Sequence, residues 1–549
     1  MGIGLSSSVR RICILALLPL MIFIPGITIT RAEVSCAEPV MTANGPVSGT
    51  NEPGTAACSY KGIPYAAPPV GPLRFRPPEP PPSHQQIYLA DHFGPWCVQP
   101  VVWGTYERYS SKFEISEDCL TLNIWRPAKR GSFPVMLWIH GGGLENGSAA
   151  IGMYQGGRLA GAEEVVVVTI NYRLGVFGFL AHPELSAEDP HHSSGNYGFL
   201  DQLAALTWVH NNIAAFSGDP NNVTVFGNSA GGWSVCSMLA SPLATGLFHQ
   251  AIIQSGGCDA TKPLAEGEAE GRKLAHELKC PDEQAAACLR AKTIKEMLSL
   301  PASAAQANNL FDLQEALLKY GWRLKEDGWA LPNTPIEALR SGQFNRVPLL
   351  VGSVRDEGKV FTVDLPGVRL APIPLIRWVM RKSFGAPMLA DIEELYPFKD
   401  YRRPLDAMIY ALGDATLACK CYDAAEAVAN YPPVYYYRFD YDRHLAPHLF
   451  GAAHGIEIPF VFNTLDQPTE NIFFTKQLAK KADPLSQSMM NYWANFARTG
   501  NPNGPGLLNW PPYDNEHRLR MYFDLPRNVK TTDNVAKCEF WKEQGITLK

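Results

Sequence analysis

Val223-Thr224-Val225-Phe226-Gly227-Asn228-Ser229-Ala230-Gly231-Gly232-Trp233 reads as an apolar strand that runs through Gly-x-Ser-x-Gly into a small-residue helix start. A nucleophile elbow requires that succession, a sharp turn between strand and helix that holds a serine hydroxyl outward at the end of a sheet. The turn crowds its own backbone, and Gly227 and Gly231 lack the β-carbon that would keep it open. The pattern implies a serine that forms an acyl-enzyme. On its own it is also compatible with coincidence, because five residues recur in unrelated chains.

A second segment decides between these readings. Pro134-Val135-Met136-Leu137-Trp138-Ile139 is another strand-like run, and it opens into His140-Gly141-Gly142-Gly143-Leu144. Successive glycines expose backbone N–H groups with no side chain in the way, as an oxyanion hole needs. Gly142, Gly143 and the N–H of Ala230 are the expected donors. A flexible turn or a phosphate cradle is the competing reading. The cradle is disfavoured, since neither Gly-Lys-Ser/Thr nor Gly-x-Gly-x-x-Gly follows.

With these segments in view, the chain resembles the type-B carboxylesterases, α/β-hydrolases that include cholinesterases, microbial esterases and lipases, and catalytically dead adhesion relatives. The resemblance runs through Tyr60-Lys61-Gly62-Ile63-Pro64-Tyr65-Ala66, Leu73-Arg74-Phe75-Arg76-Pro77-Pro78, Glu117-Asp118-Cys119-Leu120-Thr121-Leu122-Asn123-Ile124-Trp125, the glycine loop, Asn171-Tyr172-Arg173-Leu174-Gly175 and the elbow. It implies an α/β fold with a large, mostly parallel central sheet flanked by helices and carrying insertions. It also implies one such domain over residues 33–549.

The same resemblance proposes the partners of the serine. Asp356-Glu357-Gly358 follows the apolar run ending at Gly352 and matches the acid turn at Glu357, with Asp356 as a competitor. His454-Gly455-Ile456-Glu457-Ile458-Pro459-Phe460 matches the histidine segment at His454, and Glu457 is expected to support that loop. The order Ser229, Glu357, His454 is that of an α/β-hydrolase and differs from the orders in chymotrypsin-like and subtilisin-like proteases. A serine hydroxyl is a poor nucleophile at neutral pH. The imidazole would take its proton, and the carboxylate would fix the imidazole tautomer.

Composition sets the remaining bounds. Of 549 residues 46% are hydrophobic and 18% charged, ordinary for a globular protein with a buried core, and the formal net charge of −5 gives no reason to expect nucleic acid or an anionic membrane as partner. Residues 1–32 read as a cleaved signal peptide: Arg10-Arg11, an apolar stretch from Ile12 to Ile29, then Thr30-Arg31-Ala32. Pro19, Pro25 and Gly26 interrupt that stretch, so a permanent membrane anchor is not expected. The protein is expected to be secreted or periplasmic.

Twelve cysteines in an exported chain suggest disulfides. The resemblance implies Cys97–Cys119, Cys280–Cys288 and Cys419–Cys538, with Cys421 able to compete for the last. Cys36 and Cys58 flank a turn-rich segment and form a plausible fourth pair, whereas Cys236 and Cys258 read as buried thiols. Arg74 or Arg76 with Glu117, and Arg173 with Asp201, are expected to tie loops to the sheet. Asn146 and Asn222 begin glycosylation triplets but sit beside a catalytic loop and a strand, where occupancy is not expected. No cluster has metal-ligand spacing, so neither metal nor other cofactor is expected.

The resemblance implies a small-molecule ester as substrate. Cholinesterases place a tryptophan ahead of the Glu-Asp-Cys-Leu cysteine and a glutamate just before the serine; here those positions hold Tyr109, with Trp103 nearby, and Asn228. Loss of that carboxylate favours a neutral ester over a choline ester. Leu144, beside the glycine loop, and Tyr320 and Trp322, near the family's acyl pocket, would favour a short acyl group or an aromatic ester. Core packing explains those aromatics equally well. Two alternatives remain, a choline-ester hydrolase and a non-catalytic adhesion module on the same fold.

Overall fold

The computed structural model describes residue 1 and residues 35–100, 114–299, 322–362, 371–467 and 473–545. Beyond Met1 the expected signal peptide lies outside them, as do Trp103, Tyr109 and Tyr320.

Eleven strands form the main sheet. In chain order they are β1 Thr50–Asn51, β2 Ala57–Pro64, β3 Thr121–Pro127, β4 Phe133–Ile139, β5 Val166–Ile170, β6 Gly218–Asn228, β7 Gln250–Gln254, β8 Leu349–Val354, β9 Val434–Phe439, β10 Leu519–Phe523 and β11 Asn528–Thr531. Their spatial order is β11-β10-β9-β8-β7-β6-β4-β5-β3-β2-β1. The block from β5 to β10 is parallel, and antiparallel pairs close both ends. This is an α/β-hydrolase fold.

Central strands of a parallel sheet are covered on both faces, which is why these runs are apolar throughout instead of alternating. Successive side chains feed two different cores. Val135, Leu137, Val225, Ile253 and Val351 pack on one face, with α1 Tyr197–Asn212, α2 Ala230–Ala240, α3 Pro404–Gly413 and α4 Cys419–Val428. Met136, Trp138, Phe226, Ile252 and Leu350 pack on the other, under α5 Lys476–Thr499. The helix after the elbow, α2, is buried along its whole length, so its sequence is apolar or small on every side. By contrast α5 buries one stripe, and it is delimited by the Thr475 hydroxyl capping the Leu478 N–H at 3.3 Å and by left-handed Gly500.

Five disulfides close among the described residues: Cys36–Cys58, Cys97–Cys119, Cys236–Cys258, Cys280–Cys288 and Cys419–Cys538. Cys236 and Cys258 are therefore not thiols. Cys236 lies inside α2, and the chain leaving β7 packs back on the start of that helix, where a β-carbon on Gly256 would sit 2.7 Å from the Gly232 Cα. That return brings the two cysteine Cα atoms to 5.4 Å, and no local turn signals it in the sequence. Cys421 keeps its thiol, which donates to the Gly256 carbonyl at 3.4 Å. It lies two positions beyond Cys419 on α4, and a helix turns such neighbours to opposite sides.

Arg74 is the arginine that holds Glu117, through Nε at 2.7 Å, whereas Arg76 reaches Glu188 at 3.2 Å. Arg173 and Asp201 form a fully buried two-point pair at 2.8 and 2.6 Å. The Asn222 side-chain amide is engaged with the Arg498 carbonyl at 3.2 Å.

Candidate active site

Parallel register places Asn228 beside Gln254, Gln254 beside Gly352, and Gly352 beside Tyr437, a row across the C-terminal ends of β6, β7, β8 and β9. Ser229, Glu357 and His454 all follow strands of this row, so distant parts of the chain arrive at one edge. In α/β sheets that edge is where ligands bind.

Ser229 adopts φ 58° and ψ −124°, a backbone conformation a serine rarely takes. It is held there from both sides: its N–H donates to the Gln254 carbonyl at 2.9 Å, and its carbonyl accepts from Trp233 at 3.0 Å. The turn closes only because a β-carbon is missing at Gly231, where one would stand 2.0 Å from the Ile139 carbonyl oxygen.

The glycine loop meets this elbow directly, since a β-carbon on Gly141 would lie 3.0 Å from the Ser229 Cβ. Gly142 has φ 108°, and its carbonyl accepts from Glu145 and Asn146 at 3.0 and 3.1 Å, a tight reversal that turns the carbonyl inward. Ala230 opens α2, so its N–H has no acceptor within the helix. Leu144 is fully buried; its side chain belongs to the core, and its carbonyl accepts from Gly175 at 2.7 Å. His140 stacks on Tyr172 with ring centroids 4.5 Å apart and donates Nδ1–H to the Gly141 carbonyl at 2.8 Å. Burial drives its pKa down to about 4, partly opposed by that bond, so this ring is a neutral prop for the loop.

His454 Nδ1 lies 2.6 Å from Glu357 Oε2, and the other carboxylate oxygen accepts the Val354 N–H at 3.0 Å. Glu357 is 2% exposed. Burial would lower the His454 pKa; the Glu357 carboxylate outweighs it and holds the imidazole above its ordinary value. Asp356, the other acid of the turn, faces elsewhere. It is ion-paired to Arg355 and Lys359, hydrogen-bonded to Tyr410, and accepts the Ala452 N–H at 2.7 Å. Gly455 returns to the elbow, its β-carbon position 3.9 Å from the Asn228 side-chain oxygen.

Asn228 is buried and donates Nδ2–H to Glu457 Oε1 at 2.9 Å, and Gln254 donates to the same oxygen at 3.1 Å. Gln254 was not among the residues the sequence singled out; as the last residue of an apolar strand it carries no motif. Trp322 is half-buried, its indole nitrogen 3.6 Å from the β-carbon position of Gly175 and so beside the glycine-loop anchor. Neighbouring Arg323, also without a sequence signal, is buried over the Trp233 ring at 5.0 Å. Trp329 stacks on His191 with ring centroids 3.9 Å apart.

Comparison with known proteins gives a consistent result. Residues 37–541 match the model described as "Carboxylesterase family". The para-nitrobenzyl esterase of Bacillus subtilis (strain 168) is 36% identical over 504 residues, covering 91% of this chain and 97% of the relative. A human cocaine esterase is 34% identical over 88% of this chain and 87% of its own length. Among solved structures, a PNB esterase superposes with a TM-score of 0.76 at 35% identity, covering 92% of this chain and 100% of the other. A thermophilic PNB esterase gives 0.78 at 34% identity, with the same coverage.

Proposed function

Because the chain belongs to the carboxylesterase family and is a carboxylic-ester hydrolase, we propose that it acts through a Ser229–His454–Glu357 triad on neutral esters with a short or aromatic acyl part. The observation that carries this reading is the buried 2.6 Å contact between His454 Nδ1 and Glu357. With Nδ1 donating to the carboxylate, the Nε2 lone pair is left as the base.

Ser229 Oγ adds to the ester carbonyl carbon as its proton passes to His454 Nε2. The carbonyl oxygen becomes an oxyanion held by the N–H groups of Gly142, Gly143 and Ala230. His454 then protonates the alkoxy oxygen, the carbon–alkoxy bond breaks, and the alcohol leaves an acyl-Ser229. Water adds to the acyl carbon as it gives a proton to His454, and the imidazolium returns that proton to Ser229 Oγ as the acyl–Oγ bond breaks and the acid leaves.

Asn228 supports the neutral-ester preference, since the residue immediately before the nucleophile carries no carboxylate and the one that meets it, Glu457, is fully buried and engaged by the Asn228 and Gln254 amides. The printed name of the para-nitrobenzyl esterase relative points to an aromatic ester. Export is supported by the five disulfides closed among the described residues.

The test is hydrolysis of p-nitrophenyl esters graded by acyl length, beside matched choline esters, by the wild-type chain and Ser229→Ala. Faster turnover of the neutral esters and a loss of roughly a millionfold in the variant are expected. A preference for choline esters would overturn the substrate assignment, and an active Ser229→Ala would overturn the nucleophile.

A further inference from the structure

Phe226 and Ile252 face the core under α5, and the period of a strand turns Asn228 and Gln254, two residues further on, to the same side. The last polar layer of that core is therefore made at the strand ends that position the nucleophile. Asn228 Nδ2 and Gln254 Nε2 both donate to Glu457 Oε1, and Gln254 Oε1 accepts the Trp493 indole N–H at 3.2 Å. One buried oxygen thus gathers the residue before Ser229 and the residue whose carbonyl holds the Ser229 N–H.

Glu457 itself is 0% exposed, and its Oε2 accepts no bond among the described residues. Loop support alone does not require a carboxylate there, because the amide carbonyl of a glutamine would accept the same two bonds. What the carboxylate adds is charge. The titratable groups facing it are Glu357, His454, Tyr437 and Cys421. His454 is the basic member of that set.

We propose that Glu457 is a positioning residue of the acyl-transfer machinery: through the Asn228 and Gln254 amides it fixes the strand ends that carry Ser229, and it sets a second negative charge beside the His454 imidazolium. An asparagine at 228 is the partner this arrangement needs. It meets the carboxylate with a donor, whereas an acid at 228 would oppose acceptor to acceptor. Burial and then the Glu357 charge push the Glu457 carboxyl up to about 7, so its ionisation falls where an esterase works and its influence is open to titration.

This inference rests on the triad reading above, and the experiment separates the two. The pH dependence of kcat/KM for p-nitrophenyl acetate is measured for wild type, Glu457→Gln and Asn228→Leu, and a separate sample of each is tested for fluorophosphonate labelling, which consumes the serine. Removing the Glu457 charge lowers the His454 pKa. The acid limb of Glu457→Gln is therefore expected to move to lower pH by roughly half to one unit, with kcat down on the order of tenfold and KM within about twofold. Asn228→Leu takes one amide donor from Glu457 Oε1, which favours its neutral form, and should move the limb in the same direction by less. If Glu457→Gln does not fold, the direction seen in Asn228→Leu decides alone. If wild type labels and the folded variants share its limb, the inference is overturned, even if their activity drops; a wild type that does not label overturns the triad reading instead.

Discussion

Asp356 and Ala452 exchange two hydrogen bonds: Asp356 Oδ2 accepts the Ala452 N–H at 2.7 Å, and the Ala452 carbonyl accepts the Asp356 N–H at 3.0 Å. The residue before Glu357 is thereby tied to the residue two before His454, and the candidate acid and base are delivered on a joined pair of loops. Asp356, which the sequence leaves as a rival for the acid, serves the site by holding these loops together.

Asp356→Ala should destabilise the protein by about 2 to 3 kcal/mol, because the buried carboxylate that gathers Arg355, Lys359, Tyr410 and the Ala452 N–H is lost while Arg355 keeps Asp442. Burial would raise the Asp356 carboxyl, but Arg355 and Lys359 overcome it and hold it below the usual range. A depressed carboxyl contributes stability that is complete above its unfolded value and lost as pH falls through its folded one. Thermal unfolding followed from neutral pH into the acid range checks both statements, since the variant should lose part of the wild-type acid sensitivity.

Glu357→Gln should lower kcat by about 10⁴-fold with little change in KM, because a neutral amide no longer fixes the tautomer. Residual activity should show an acid limb at lower pH than wild type, since the carboxylate is what raises His454 against its burial. A pH profile of kcat/KM for one neutral ester measures the shift.

Gly142→Ala should cost roughly 10²- to 10³-fold in kcat. Its β-carbon would stand 2.0 Å from the Asn146 carbonyl oxygen at φ 108°, so the loop must move and carry its N–H away from the oxyanion. Burst kinetics with a p-nitrophenyl ester should show slower acylation while the unfolding temperature changes far less.

Replacing Cys236 and Cys258 together by alanine should lower stability by about 3 kcal/mol, the scale expected for a closed loop of this length. The bridge spans 22 positions and ties α2 to the chain behind the elbow. Calorimetry of the double variant beside wild type, with and without reductant, reads the difference. Reductant should shift the wild type further than the variant.

The fold was legible where chemistry leaves local marks. Doubly covered strands make continuous apolar runs, and the elbow and glycine loop need glycines at fixed offsets, so β4, β6 and their turns could be read directly. The Cys236–Cys258 bridge and the Asn228–Gln254–Glu457 cluster could not. Both arise from strand register and the return of one chain segment over another, relations between residues that carry no motif of their own. Arg323 over Trp233 is the same kind of case, a buried cation whose partner lies on a distant helix.

Ser229 is the residue proposed to carry the acyl group. Intact-mass and peptide analysis of the protein treated with a fluorophosphonate tests it most directly. One equivalent of label is expected, located on the peptide containing Ser229, and none in Ser229→Ala. Undiminished labelling of that variant, or label on another residue while esterase activity disappears, would contradict it.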